Sequence, residues 1–198
     1  MSKTAAAAAG AILAAGLTIT GTLAEAGSYM TPRHPIRQPD GAGSLCETYT
    51  WACATTHSAQ AFGEVEMAEV RRVNAQVNRT TRQIPDVQQY DRAEVWALPT
   101  RRGGDCEDFA LLKKRRLIEA GIPPDRLLIA TVLDTRFQGH AVLVVRTGTG
   151  DVVLDNLTSR IRSWDETGYI FMKMQSPETP GGWDAIIAGG PLLKPARG

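Results

Sequence analysis

Three residues along this sequence have side chains that together can cleave a bond at a carbonyl group. Cys106 lies in the run GDCED at residues 104–108, His140 follows in a GH pair, and Asp155 follows in LDN. A deprotonated thiol attacks a carbonyl carbon, an imidazole can take the thiol proton, and a carboxylate can orient the imidazole. These residue types therefore predict a nucleophile, a base and an orienting acid.

The segment that begins with Cys106 is predicted to be a helix. Residues 106–120 (CEDFALLKKRRLIEA) are rich in helix formers, Asp105 is a suitable N-cap, and Gly121 with the prolines after it would end the helix. Cys106 would then occupy the first helical position, where the pKa of a thiol falls. Apolar residues on several faces predict a centrally packed helix, which would hold the nucleophile rigidly.

Two β-branched runs, residues 140–146 (HAVLVVR) and 151–157 (DVVLDNL), flank the turn sequence TGTG and predict an antiparallel hairpin. A turn centred between the first T and G would place His140 directly opposite Asp155. A slip of two residues would leave the pair diagonal on one face, still within reach, and a three-residue loop would place Asn156 opposite His140. In each register a residue able to hold an imidazole lies near the histidine.

Each of these residues also has an ordinary structural interpretation. A single cysteine in a helix is commonly a buried, unreactive small residue. His140 could be a core histidine, and Asp155 could begin a turn with Asn156. The three motifs in this order favour catalysis over those separate explanations.

The same motifs resemble a known family. GDCEDFALLKKRRLIEAGIPPDRL and GHAVLVVRTGTGDVVLDNL closely resemble the bacterial transglutaminase-like cysteine peptidases, the group that includes the LapG-type periplasmic proteases. VNAQVN at residues 73–78 and the Trp96 region also look like family features, and the likeness extends over residues 44–185. Carried over position by position, the family's catalytic Cys, His and Asp fall on Cys106, His140 and Asp155.

The resemblance implies an α+β fold and a reaction. The fold is a papain-like or transglutaminase-like core, in which the Cys-bearing helix packs on an antiparallel sheet that carries His and Asp. The reaction is hydrolysis of a peptide bond, with the backbone N–H of Cys106 as an oxyanion donor and the Trp96 indole as a second candidate. The same core could transfer the acyl group to an amine, as a transglutaminase does, or serve as a catalytically silent module that binds a peptide.

Three acids surround the nucleophile, namely Asp105, Glu107 and Asp108. Negative charge beside a thiol raises its pKa and opposes the thiolate, so a bound cation would resolve the conflict. Clustered hard oxygen ligands suit calcium, and the resemblance implies calcium next to the nucleophile. The alternative is that these acids only cap the helix and are solvated in its first turn.

Residues 1–26 predict a secretory signal peptide. They contain a basic start at Lys3, an apolar stretch, and AEA at residues 24–26 as the cleavage site. Gly and Thr dilute the stretch, which disfavours a membrane anchor. We therefore expect a periplasmic protein with residues 27–43 as a linker or surface arm and residues 44–198 as one peptidase domain.

The cysteine count agrees with export. Cys46 and Cys53 lie close together in sequence and Cys106 is alone, a pattern expected of a thiol enzyme in an oxidising compartment. Because the family often has a similar pair near the mature N-terminus, the resemblance implies a disulfide between Cys46 and Cys53. Both could also stay reduced.

Composition limits the partners. The 22 basic and 21 acidic residues give a formal net charge of +1, which does not suggest nucleic acid. The basic run at residues 113–116 is expected to be a solvated helix face. We expect a monomer with a protein substrate. In LapG-type relatives that substrate is a surface adhesin under the control of an inner-membrane receptor, so the resemblance implies both as candidate partners.

Further elements follow from hydrophobic periodicity. Residues 64–83 predict an amphipathic helix, and residues 127–133 and 170–174 predict buried strands. The segment from Pro177 onward lacks a clear pattern and is predicted to be a loop.

Overall fold

The apolar runs of the C-terminal half and one short N-terminal strand form a seven-stranded antiparallel sheet in the computed structural model, which describes residues 28–56 and 62–190. The strands are β1 (Pro35–Ile36), β2 (Leu127–Leu133), β3 (Gly139–Arg146), β4 (Asp151–Leu154), β5 (Arg162–Ser163), β6 (Ile170–Gln175) and β7 (Trp183–Gly189). Their order across the sheet is β1-β7-β6-β2-β3-β4-β5.

Four α-helices and several short 3-10 turns complete the described fold. The helices are α1 (Leu45–Thr48), α2 (Glu64–Thr80), α3 (Asp86–Tyr90) and α4 (Cys106–Glu119). Helix α4 packs against β3 and α2 in the largest core cluster. The predicted α+β architecture, with a Cys-bearing helix on an antiparallel sheet, is confirmed.

The central strands are mainly apolar on both faces because both faces of the sheet are covered. In β3, Leu143 and Val145 belong to the core under the helices, whereas Val142 and Val144 belong to a second core on the opposite face. Successive side chains of a strand alternate between faces, so a strand that is covered on both sides lacks the apolar–polar alternation of a half-exposed strand.

The hairpin register differs from direct opposition by two residues. Leu143 pairs with Leu154 and Arg146 with Asp151, so the turn is centred between Gly148 and Thr149. The expectation that His140 faces Asp155 directly is therefore wrong, and the diagonal alternative holds. Strand β4 also ends at Leu154, which leaves Asp155 at the start of the following loop.

The N-terminal segment, which the sequence predicts as a linker or surface arm, makes two attachments to the sheet. Pro35 and Ile36 pair with β7 as an edge strand, although both are exposed. Met30 is buried in the second core, and its backbone N–H donates to Asp151 at 2.8 Å. The predicted signal peptide, residues 1–26, lies outside the described residues.

The structure confirms one further sequence expectation and contradicts another. A disulfide joins Cys46 and Cys53, as predicted, and Cys106 is a free thiol. The segment after Pro177 contains strand β7, so its prediction as a loop is wrong. Within residues 28–56 and 62–190, no helix combines the length and apolar character needed to cross a bilayer.

The basic run of α4 is only half solvated, contrary to expectation. Arg115 and Arg116 are exposed, but Lys113 and Lys114 are 1% and 2% exposed. Lys114 Nζ donates to Gln175 Oε1 at 2.7 Å, and burial lowers the lysine pKa to about 7. A helix that is packed on several sides can bury part of a charged sequence run, so such a run need not face water along its whole length.

Lys114→Met is expected to raise the free energy of unfolding at pH 6 by about 2 kcal/mol, because it removes a buried charge. Gln175 Oε1 keeps its bond from the Ile129 N–H. A folded-state pKa below the unfolded value makes the lysine destabilising below pH 7 and progressively less so at higher pH. The gain should therefore shrink by pH 9 in urea titrations. A gain of equal size at both pH values, or the same gain for Lys173→Met, would contradict this account.

Candidate active site

Cys106 is the first residue of α4, and Asp105 is its N-cap residue. The Asp105 side chain makes no capping bond and instead accepts the Asp86 backbone N–H at 3.1 Å. The thiol of Cys106 donates to Glu107 Oε2 at 3.2 Å. Burial and the Glu107 charge raise the thiol pKa, and a backbone bond from Ala141 opposes them. The sulfur therefore lies beside Ala141 of β3, which is the residue that follows His140.

His140 and Asp155 meet across the hairpin. His140 Nε2 lies 2.9 Å from Asp155 Oδ1, and both side chains are more than nine-tenths buried. The Leu157 N–H also donates to Oδ1 at 2.9 Å, and the Tyr169 hydroxyl donates to Oδ2 at 2.5 Å. Burial would raise the Asp155 pKa, but these hydrogen bonds outweigh it and hold the pKa below its usual range. Asp155 is therefore an ionised acceptor that fixes one ring nitrogen.

A cleft of about 400 Å³ gives access to the thiol and the imidazole. Cys106, His140, Trp96, Glu94 and Lys173 are among its lining residues. Trp96 Nε1 is buried at this cleft beside the Glu94 carboxylate, which competes with a substrate oxygen for this donor. The two residues named from the sequence as oxyanion donors, Cys106 and Trp96, thus line the same cleft.

Behind the thiol, three carboxylates from two chain segments converge. One oxygen each of Asp86, Asp105 and Glu107 lies within 4.8 Å of the others. Asp86 Oδ1, Asp105 Oδ1 and Glu107 Oε1 are all buried without a hydrogen-bond partner. A buried acceptor left unpaired is costly, and three in one place fit an oxygen-ligated cation such as calcium.

The electrostatics of this cluster support the same conclusion. Burial, followed by the charge of Asp105, raises the Glu107 pKa to about 9. Burial also raises the Asp86 pKa, although the Val95 N–H donates to this carboxylate. Like charges held this close in a buried site resist ionisation unless a cation neutralises them. The donor set contains only hard oxygen atoms, which calcium prefers over softer ligands.

Asp108, named with Asp105 and Glu107 as a ligand candidate, lies outside this set of three. Its Oδ1 accepts the Ala97 N–H at 3.0 Å and so ties the Trp96 segment to the start of α4. Burial raises its pKa to about 8. A Cβ at Gly104 would lie only 2.3 Å from Asp108 Oδ2, so this close packing requires glycine.

The family model of the bacterial transglutaminase-like cysteine proteinases matches residues 33–190. The chain belongs to this family. It is a cysteine peptidase with a protein substrate, as the sequence motifs predicted. A search of curated proteins finds no match to this proteinase.

Solved structures of LapG from Legionella pneumophila share the fold of this family member. Calcium-bound LapG is 23% identical, has a TM-score of 0.52, and the match covers 80% of this chain and 87% of LapG. EGTA-treated LapG is 22% identical with a TM-score of 0.52 and coverages of 75% and 79%. A third LapG structure is 22% identical with a TM-score of 0.50 and coverages of 75% and 82%.

Two residues of this proteinase's site were missed from the sequence. Asp86 lies twenty positions before Cys106 and begins α3, so its only sequence signal is an acid at a helix start. Tyr169 precedes β6, and its ring packs edge-on against the His140 ring with centroids 6.0 Å apart. Neither residue belongs to a motif, and only the tertiary fold brings each to the site.

Asn78 anchors the loop that carries Asp155. Its Nδ2 donates to the Asp155 carbonyl at 2.8 Å, to the Thr158 carbonyl at 3.2 Å and to Ser159 Oγ at 3.2 Å. Asn74, one turn earlier on α2, donates only to the Ser159 carbonyl at 3.1 Å. The helix face formed by these two residues therefore fixes where the chain leaves β4.

Asn78→Ala is expected to lower kcat about tenfold with little change in KM, because it would misplace Asp155, the candidate orienting acid, and so weaken transition-state stabilisation. Asn74→Ala is the matched control, since it loses one loop bond but none to Asp155. Both variants should lose about 1–2 kcal/mol of unfolding free energy. Similar kcat values for the two variants, measured beside urea titrations, would reduce Asn78 to a purely structural role.

Proposed function

We propose that this peptidase acts through Cys106 as nucleophile, His140 as base and Asp155 as the orienting acid. The observation that carries the proposal is the 2.9 Å contact between His140 and Asp155 beside a cleft that both His140 and Cys106 line. Because Nε2 faces an ionised carboxylate, that nitrogen carries the proton in the neutral ring. Nδ1 is then left as the acceptor for the thiol proton.

The reaction follows from this arrangement. His140 Nδ1 takes the proton of Cys106, and the thiolate attacks the peptide carbonyl carbon. The oxyanion is held by the Cys106 backbone N–H and the Trp96 indole N–H. The imidazolium then gives its proton to the leaving amine as the peptide C–N bond breaks. Water, deprotonated by the same imidazole, hydrolyses the thioester and restores the thiol.

We propose a calcium ion at Asp86, Asp105 and Glu107. The unpaired oxygens of these residues support the assignment, as does the calcium-bound form of LapG. When bound, calcium supplies positive charge that neutralises the carboxylates around the nucleophile. Glu107 also accepts the thiol S–H, and a cation on its other oxygen makes that carboxylate a weaker obstacle to the thiolate.

We propose that the protein acts after export, in the periplasm. The residue pattern at 1–26 and the disulfide between Cys46 and Cys53 support an oxidising compartment. The substrate is then an exported protein. A surface adhesin is the candidate supplied by the resemblance to LapG-type proteases, and an inner-membrane receptor is the candidate regulator.

The test compares cells that produce the protein with cells that produce Cys106→Ala. Quantitative proteomics of the surface and shed fractions should find a protein released only by the active thiol, with a new terminus at one site. Its purified substrate segment should be cut in vitro, while Cys106→Ala folds and does not cut. Cleavage by Cys106→Ala would overturn the assignment. Incorporation of a labelled amine at the new C-terminus would indicate acyl transfer in place of hydrolysis.

A further inference from the structure

A second cavity, of about 720 Å³, lies beside the loop that leads into the nucleophile. Four arginines line it, namely Arg82, Arg101, Arg102 and Arg116, together with polar groups such as Thr100. Within the part of the chain that the structure describes, no aspartate or glutamate lines this cavity. We refer to these four arginines and the cavity between them as the arginine pocket.

The charges of the arginine pocket have no counter-ions within the described residues. The ion pairs found there involve Arg71, Arg72, Arg115, Arg136, Arg146 and His140, and none involves the four pocket arginines. Arg102 donates to the Gln88 carbonyl at 3.3 Å, which leaves its charge unbalanced. Because the whole chain carries a formal charge of only +1, four unpaired arginines in one place are not explained by composition.

The pocket wall is tied to the nucleophile loop by main-chain bonds. The Gly104 N–H donates to the Arg82 carbonyl at 3.1 Å, and the Ile84 N–H donates to the Gly104 carbonyl at 2.9 Å. Gly103 lies three residues before Cys106, so their Cα atoms are at most about 11 Å apart. Gly103 has φ 130°, and a Cβ there would lie 2.0 Å from the Arg82 carbonyl oxygen. The pocket is therefore a fixed neighbour of the catalytic cleft.

We propose that the arginine pocket is an exosite that binds an acidic segment of the polypeptide substrate. This inference rests on the proposed function, because it assumes that a polypeptide enters the neighbouring cleft. Guanidinium groups bind carboxylates through paired N–H donors, and arginine keeps its charge at every physiological pH. Four extended residues span about 13 Å, which exceeds the separation of Gly103 and Cys106, so a substrate segment this far from the scissile bond matches the distance to the pocket. Charge pairing there would add affinity and set which bond lies over the thiol.

The test measures binding separately from turnover. Fluorescence anisotropy of a fluorescein-labelled octaglutamate peptide is followed in the Cys106→Ala protein at low salt. We expect saturable binding, weakened at least tenfold by Arg101→Glu with Arg116→Glu. Arg71→Glu, an exposed charge reversal on α2, should change affinity less than twofold. Octalysine should not bind.

Three results would overturn the proposal: equal binding by the double variant, equal weakening by Arg71→Glu, or saturable binding of tripolyphosphate without binding of octaglutamate. The last result would assign the pocket to a phosphate-bearing ligand. Arg101→Ser, a milder change in an exposed turn, guards against loss of folding and should also weaken the peptide. Since no catalysis is measured, failed binding leaves the proposed triad intact. Cleavage by Cys106→Ala would overturn the triad without affecting the binding result.

Discussion

His140→Gln is expected to lower kcat for peptide hydrolysis by about 10³-fold, because the variant lacks the group that moves the thiol proton. Glutamine keeps a polar side chain near Asp155 but cannot accept and return a proton at neutral pH. The measurement is cleavage of the substrate segment identified by the proteomic comparison. His34→Gln is the matched control, since His34 is exposed on the N-terminal segment, and it should retain full activity.

A second readout of the same variant does not need a substrate. Iodoacetamide reacts with thiolates, and Cys106 is the only free cysteine within the described residues. Its alkylation rate near neutral pH should fall in His140→Gln, because the imidazole no longer takes the proton. Burial and Glu107 raise the thiol pKa, so without a base the alkylation rate should increase only in strongly alkaline solution. Unchanged alkylation together with unchanged kcat would exclude His140 as the base.

Removal of calcium should have a comparably large effect. Chelator-stripped protein is expected to lose more than nine-tenths of its activity and to recover it with added calcium, because the thiolate forms poorly beside uncompensated carboxylates. Isothermal titration should find one site. Asp86→Asn removes one of the three carboxylates proposed as ligands and should weaken binding about 100-fold. Asp91→Asn, on an exposed residue just after α3, is the control and should bind normally.

The unfolding free energy of Asp86→Asn, measured with and without calcium, is a second test of the proposed calcium site. Burial raises the Asp86 pKa, with a further contribution from the charge of Asp105. Without calcium the variant should therefore be more stable than the wild type at pH 8, since one repelled carboxylate is gone. With saturating calcium the order should reverse, because the wild type gains more binding energy. Activity that survives chelation, together with no detectable binding, would remove calcium from the mechanism.

The sequence predicted most of what lies close together along the chain. The predicted helix that begins at Cys106 ends one residue beyond the observed helix, and the predicted bounds of strand β2 match the observed bounds. Local propensity and apolar runs decide both. Strand β7 was missed because its formation depends on pairing with its neighbours in the sheet, β6 and β1, and β1 is distant in sequence. Buried lysines in α4 were missed because their burial depends on what packs around the helix.

The candidate site shows the same division. Cys106, His140 and Asp155 are separated by long stretches, yet the helix, hairpin and family motifs predicted all three as one site, and the fold brings His140 and Asp155 into contact. Asp86 could not be found in that way, because the Asp105 carboxylate bonds to its backbone only in the folded chain. The hairpin register was also uncertain from sequence, since a four-residue turn of Gly and Thr allows several alignments.

The two edges of the sheet also limit how a substrate can bind. Its outermost strands, β1 and β5, contain only two residues each. An edge this short offers too few free N–H and C=O groups to take up an extended peptide as an additional strand. Such edges also discourage self-association of the kind that leads to aggregation. We therefore expect an incoming chain to be bound by side chains that line the cleft, so substitutions there can alter selectivity while the sheet stays intact.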